Sequence, residues 1–172
     1  MSSPRRLVLL RHAKAEASAG PDHARPLALA GRRQASAVGA QLLAEGLVPD
    51  HVLCSSALRT RQTWDLLRAA LGPAAEQVSV DVREEVYDAG VPELLALLQE
   101  VGPAVATVLV VGHEPTMSAA AARLAGRTSA PQVLDRVRLG VPTAAWSLLE
   151  PAGDWQTLAA GSARLTALRV PA

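Results

Sequence analysis

Two short apolar runs stop at histidines. Leu7-Val8-Leu9-Leu10 leads into Arg11-His12, and Val105 to Val111 leads through Gly112 into His113. Runs of this length leave no face for water. They read as strands buried on both sides, the signature of a parallel sheet covered by helices. Open sheets of this kind place ligands outside the carboxyl ends of their strands, so both histidines fall where chemistry is expected. If the two strands are neighbours, both imidazoles face one crevice.

The rest of the chain fits such a sheet. Ala15 to Pro26 reads as a loop. A helix is expected over Leu27 to Glu45, with Ala35, Val38, Leu42 and Leu43 on one face and Gly46 at its end. His51 to Cys54 is a second strand, followed by a helix over Ala57 to Leu71 with Ser55 or Ser56 as its N-cap and Gly72-Pro73 as its stop. Gln77 to Val82 alternates as a third strand, and Arg83 to Val91 is expected to be a polar loop. Pro92 opens a helix reaching about Val101. Beyond the Val105 strand, Thr116 to Ala125 is an alanine-rich helix. Ala144 to Leu149 and Trp155 to Ala160 read as two antiparallel strands joined by Pro-Ala-Gly-Asp. The alternation predicts a single three-layer α/β/α domain over residues 1–172, with a mostly parallel central sheet and an antiparallel C-terminal part.

Composition narrows the function. With three Trp, one Tyr and no Phe, the core must be aliphatic. A net charge of +1 argues against a nucleic-acid partner. No apolar stretch is long enough to span a membrane and the start lacks a signal-peptide pattern, so a cytoplasmic location is expected, with no membrane partner. Cys54 is the lone cysteine, which excludes a disulfide framework or a cysteine metal cluster.

Arg59 falls in the first turn of the second helix, where backbone N–H groups and the helix dipole favour an anion, and a guanidinium can grip phosphate with two bonds. Arg61 and Arg68 read as solvated helix residues, and His23 and His51 as structural histidines. A cysteine-phosphatase loop needs five residues between cysteine and arginine. Cys54 and Arg59 enclose only Ser55, Ser56, Ala57 and Leu58, and Cys54 continues a buried strand, so that reading is set aside.

Leu-Arg-His-Ala at 10–13, Ser-Ser-Ala-Leu-Arg at 55–59 and Val-Gly-His-Glu-Pro at 111–115 resemble, in order and spacing, the motifs of the histidine phosphatase superfamily, a phosphoglycerate mutase-like fold. The block Asp22-His-Ala-Arg-Pro-Leu-Ala-Leu-Ala-Gly-Arg and the short length resemble the SixA-type phosphohistidine phosphatases. The resemblance implies that His12 is the nucleophile and carries a phosphoryl group. Arg11 and Arg59 would bind its oxygens, His113 would stabilise them as an imidazolium, and Arg25 would be an accessory pocket residue. It also implies a glutamate acid after the third strand, for which Glu84 is chosen over Glu85. Glu114 stands where the family has Asn, and its expected role is helix capping, with Pro115 as first helical residue. Ala28 stands where the family has Thr, which removes a capping hydroxyl.

The reading that results is a phosphatase that needs no metal or other cofactor and works through phosphohistidine, with phosphohistidine on a protein as substrate. The alternatives are a phosphatase or mutase for small phosphorylated metabolites and an inactive phosphate-binding module. Short loops around the site predict a shallow, open pocket suited to a protein-borne substrate.

Overall fold

The computed structural model describes residues 4–17 and 20–172. Six strands form one sheet: β1 (Arg6–Arg11), β2 (His51–Ser55), β3 (Ser79–Arg83), β4 (Thr107–Gly112), β5 (Trp146–Pro151) and β6 (Ala163–Arg169), in the order β3-β2-β4-β1-β5-β6. β1, β2, β3 and β4 run parallel, whereas β5 and β6 are antiparallel additions. β1 and β4 are neighbours, with Leu10 opposite Val111 and Arg11 opposite Gly112, so His12 and His113 emerge at one level.

Alternation along β1 divides the core. Val8 and Leu10 pack beneath α1 (Leu29–Ala44) and α2 (Leu58–Leu71), against Val38, Leu42 and Leu67. Leu7 and Leu9 join the other layer. That layer comprises α4 (Val91–Gln99), α5 (Thr116–Leu124) and α6 (Pro131–Arg138), which contribute Leu94, Leu98, Leu124 and Val137. All these side chains are fully buried. Each such burial contributes roughly 1.5–3 kcal/mol, so an aliphatic core suffices without phenylalanine.

The start of α1 touches the chain just beyond the first histidine. A Cβ on Gly31 would lie 2.0 Å from the Lys14 carbonyl oxygen, so only glycine permits this approach. Ala28 is the N-cap and supplies no side-chain bond, consistent with the hydroxyl missing there. From the other side, the Ala144 N–H donates to the carbonyls of Arg11, at 3.1 Å, and His12, at 3.0 Å. Ala144 holds a left-handed backbone, φ 61°, while doing so.

The structure corrects several sequence expectations. The segment expected as a polar loop contains α3 (Glu84–Asp88). Trp155 to Ala160 is not a strand. Trp155–Thr157 forms a 3₁₀ turn with the indole buried and its Nε1 donating to the Val105 carbonyl at 2.8 Å, and the last strand is Ala163–Arg169. The N-cap of α2 is Ala57, with no side-chain cap, not Ser55 or Ser56. Of the loop between β1 and α1, residues 18 and 19 lie outside the described residues. No helix among the described residues is long and apolar enough to cross a membrane.

Candidate active site

The carboxyl ends of β1, β2 and β4 bring together Arg11, His12, Arg59 and His113. The His12 and His113 rings are 5.2 Å apart between centroids. Arg59, at the start of α2, is only 5% exposed and reaches both. Its Nε donates to His12 Nε2 at 3.4 Å and its NH2 to His113 Nδ1 at 3.2 Å.

These partners fix the tautomers. His12 Nδ1 lies 2.8 Å from the Ala13 carbonyl oxygen, which can only accept, so Nδ1 carries the proton and Nε2 keeps its lone pair. His113 is reversed. An arginine nitrogen can only donate, so Nδ1 accepts and Nε2–H donates to Ser55 Oγ at 2.7 Å. Arg11 Nη1 donates to the Val141 carbonyl at 2.8 Å, and among the described residues its buried Nε has no partner. A buried, unpaired N–H is costly unless a ligand satisfies it.

The profile of the histidine phosphatase superfamily (branch 1) matches residues 7–90. An uncharacterized protein of Mycobacterium tuberculosis is 38% identical over 166 residues, covering 94% of this chain and 99% of that protein. A structure described as a "putative phosphohistidine phosphatase SixA" from Nakamurella multipartitia is 36% identical, with TM-score 0.83, covering 99% of this chain and 98% of that one. One from Agrobacterium tumefaciens, described in the same words, is 29% identical, with TM-score 0.79, covering 99% and 100%. This chain belongs to the histidine phosphatase superfamily. It is a phosphatase with the phosphoglycerate mutase-like fold.

In this histidine phosphatase both imidazoles are held neutral. Burial first, then the neighbouring Arg59 and Arg11 guanidiniums, bring His12 down to about 4 despite its bond to Ala13. Burial, then His12 and Arg59, bring His113 down to about 3. At neutral pH the guanidiniums of Arg11 and Arg59 therefore carry the positive charge of the site. Cys54 is inert as expected: burial pushes its thiol up to about 12.

The other expected residues fall as follows. Glu84 is exposed at the start of α3, on the wall of a cavity of about 540 Å³ shared with Glu85, Asp88 and Glu93. Among the described residues, no hydrogen bond or ion pair joins Glu84 to either imidazole, and Glu85 pairs with Arg83. The residue that α3 does deliver is Tyr87, one turn further on, whose ring meets His113 edge-on at 5.5 Å. Arg25 reaches the site through Asp22, donating from Nε to Oδ1 at 3.0 Å. Glu114 caps α5 as expected: its carboxylate accepts the Ser118 N–H at 3.1 Å and the Ser118 hydroxyl. Pro115 is the N-cap of α5, not its first helical residue. His51 bonds Ser79 Oγ at 2.6 Å at the far end of β2, and Arg61 and Arg68 are exposed. His23 contacts Ser56 Oγ at 2.9 Å and the Tyr87 ring at 4.9 Å, which makes it a support of the outer wall.

Besides Tyr87, two residues of the site escaped the sequence reading. Ser55 is the fully buried partner of His113. Asp22 crosses the mouth of the cleft: its carbonyl accepts from Arg59 NH1 at 2.8 Å, and its Oδ2 accepts from Arg59 NH2 at 3.0 Å and from the Tyr87 hydroxyl at 2.8 Å. The Tyr87 hydroxyl first, then Arg59, bring its carboxyl down to about 2, so it is ionised. Asp22 stood inside the Arg-Pro-Leu block, where its distance of three residues from Arg25 was the available signal.

Proposed function

We propose that this enzyme removes the phosphoryl group from phosphohistidine on a protein in the cytoplasm, without a metal, by way of a phosphoryl group carried on His12. The observation that carries this reading is the His12 tautomer: Nδ1–H is committed to the Ala13 carbonyl, and the Nε2 lone pair lies beside Arg59. A neutral imidazole with a free lone pair is a nucleophile at neutral pH.

In the first step His12 Nε2 forms a bond to phosphorus as the P–N bond of a substrate ring protonated on its second nitrogen breaks, and that electron pair leaves with the ring, which departs as neutral imidazole. Arg59 and Arg11, whose Nε–H lacks a partner, take the phosphoryl oxygens. Charge complementarity and alignment are what a loose phosphoryl transition state requires. Burial first, then the charges of His12 and Arg59, keep His113 neutral, and an arriving anion would favour a proton on it. Arg25 acts at one remove, through Asp22. In the second step water attacks phosphorus, the P–N bond to His12 breaks, its pair returns to Nε2, and dihydrogen phosphate leaves with both water protons. Glu84 enters neither step as a contact. An imidazole is a good enough leaving group to need no such acid.

Two relatives at 36% and 29% identity bear the same substrate in their descriptions, which supports the choice. The test is kcat/KM for a phosphohistidine-bearing domain against a panel of sugar and nucleotide phosphates, using one preparation at matched pH. Phosphohistidine is expected to lead. A metabolite turned over far more efficiently than every phosphohistidine protein would overturn the substrate while leaving the His12 chemistry standing.

A further inference from the structure

The carboxylate of Asp22 is an anion placed in a site built for anions. It occupies Arg59 NH2, a donor that a phosphoryl oxygen also requires. His12 lies deep, 7% exposed, whereas the Asp22 side chain is 54% exposed. A phosphorus atom over His12 Nε2 with oxygens on Arg59 therefore sends its leaving group outward, past Asp22 and Tyr87. There the leaving group meets a negative charge that cannot withdraw freely, because Arg25 holds Oδ1 while Tyr87 and Arg59 hold Oδ2. A carboxylate has about four lone-pair directions. Among the described residues three are filled, which leaves one for an incoming donor.

We propose that Asp22 is a specificity-determining residue: its carboxylate accepts an N–H from the leaving group and so selects phosphoryl donors that depart as an imidazole over esters that depart as an anion. The inference rests on the proposed phosphohistidine activity and deepens it. A phosphorylated imidazole protonated on its second nitrogen offers that N–H and a positive charge. When its P–N bond breaks, the electron pair goes to the departing nitrogen, and the ring leaves neutral with the proton it brought. No enzyme acid is consumed, in keeping with the position of Glu84. An ester oxygen leaves with negative charge accumulating next to Asp22 and is penalised. The carboxylate thus combines an attractive contact to the favoured leaving group with a repulsive one against the disfavoured.

The test is Asp22→Asn, which keeps the shape and the acceptor for Arg59 and removes the charge. Phosphoimidazole and p-nitrophenyl phosphate are compared as substrates, with kcat/KM measured for each. The imidazole-to-ester ratio should fall at least tenfold, with the ester value itself rising at least threefold. A smaller fall in the ratio, as a purely structural role would give, or an ester value that drops, overturns the proposal. Binding of inorganic phosphate supplies a readout independent of turnover. Asp22→Asn should bind it at least threefold tighter, and unchanged or weaker binding overturns the proposal. Because the small substrates carry no protein, the two readings fail separately. A wild-type enzyme that ignores phosphohistidine proteins, combined with the tenfold fall, removes the protein substrate and retains Asp22 as the selector.

Discussion

His12 and His113 end neighbouring parallel strands in register, and both contact the same guanidinium, His12 buried and His113 half-buried, yet their rings are protonated in opposite senses. The end of β1 offers a main-chain carbonyl, which forces the proton onto Nδ1 of His12 and frees Nε2. The end of β4 faces a serine hydroxyl on one side and an arginine on the other, which places the proton on Nε2 of His113. Residue type and topology are shared, so the partners alone separate the proposed nucleophile from its proposed charge-stabilising neighbour. Position at a strand end nominates a histidine for chemistry, and the group on its second nitrogen decides which chemistry.

The strongest way to break this comparison is to remove the rings one at a time. His12→Ala should abolish turnover, a loss of at least about 10³-fold, because no other side chain presents a free lone pair at that point. His113→Ala should slow turnover but still trap phosphate on the enzyme. Radiolabelled phosphate should survive an alkaline quench and be lost in acid, as a phosphoramidate requires. Full activity in His12→Ala, or label in that variant, would reverse the assignment of the two rings.

A smaller effect is expected at the guanidinium that joins them. Arg59→Lys keeps a positive charge but cannot serve two histidines and two phosphoryl oxygens from one planar fork. Losing one charge-assisted bond, worth roughly 1.5–3 kcal/mol, predicts a fall in kcat/KM of about tenfold or more. EDTA should leave the wild-type rate unchanged, and sensitivity to chelation would reveal a charge source other than arginine.

The gentlest effect is on stability. Both rings bind protons less readily when folded, at about 4 and about 3, than the ordinary value of 6.5. Between pH 6.5 and about 4 the unfolded chain binds more protons than the folded one, so stability is lost as pH falls through that window. Urea midpoints at pH 7, 5.5 and 4.5 should decline in order. In His113→Gln the slope should lessen by at most about 1.4 kcal/mol per pH unit, the contribution of one ring. A midpoint constant across the window would show that the rings accept protons while buried.

Much of this site is legible in the chain because the residues that form it terminate apolar strands. The runs ending at His12 and His113 admit one kind of structure, and a parallel sheet brings their ends to one edge. Glu84 illustrates the limit. Its charge and position after β3 fit an acid, but five helical residues, Glu84–Asp88, are too few to show a period, and one turn of helix exchanges Glu84 for Tyr87. Asp22 and Ser55 are ordinary polar residues whose importance comes from what lies across the cleft. At the C-terminal end, Trp155 has the strand preference of an aromatic, but its indole is better satisfied buried on the Val105 carbonyl. The alternation of Ala163, Leu165 and Ala167 with Arg164 and Thr166 marked the true strand. Pro131 opening α6 was a further signal that no reading of residues 126–143 used.

The contact between Ala144 and the end of β1 has a consequence in time. The carbonyls of Arg11 and His12 are both held by Ala144 N–H, Arg11 N–H by the Ala145 carbonyl, and the Arg11 side chain by the Val141 carbonyl. In the chain His12 comes well before the segment from Val141 to Ala145 that clamps it. Chains are synthesised at about 5–20 residues per second, so the reactive histidine waits several seconds before the segment that aims it exists. The growing polypeptide therefore carries an unaimed imidazole until the segment around Ala144 has been made.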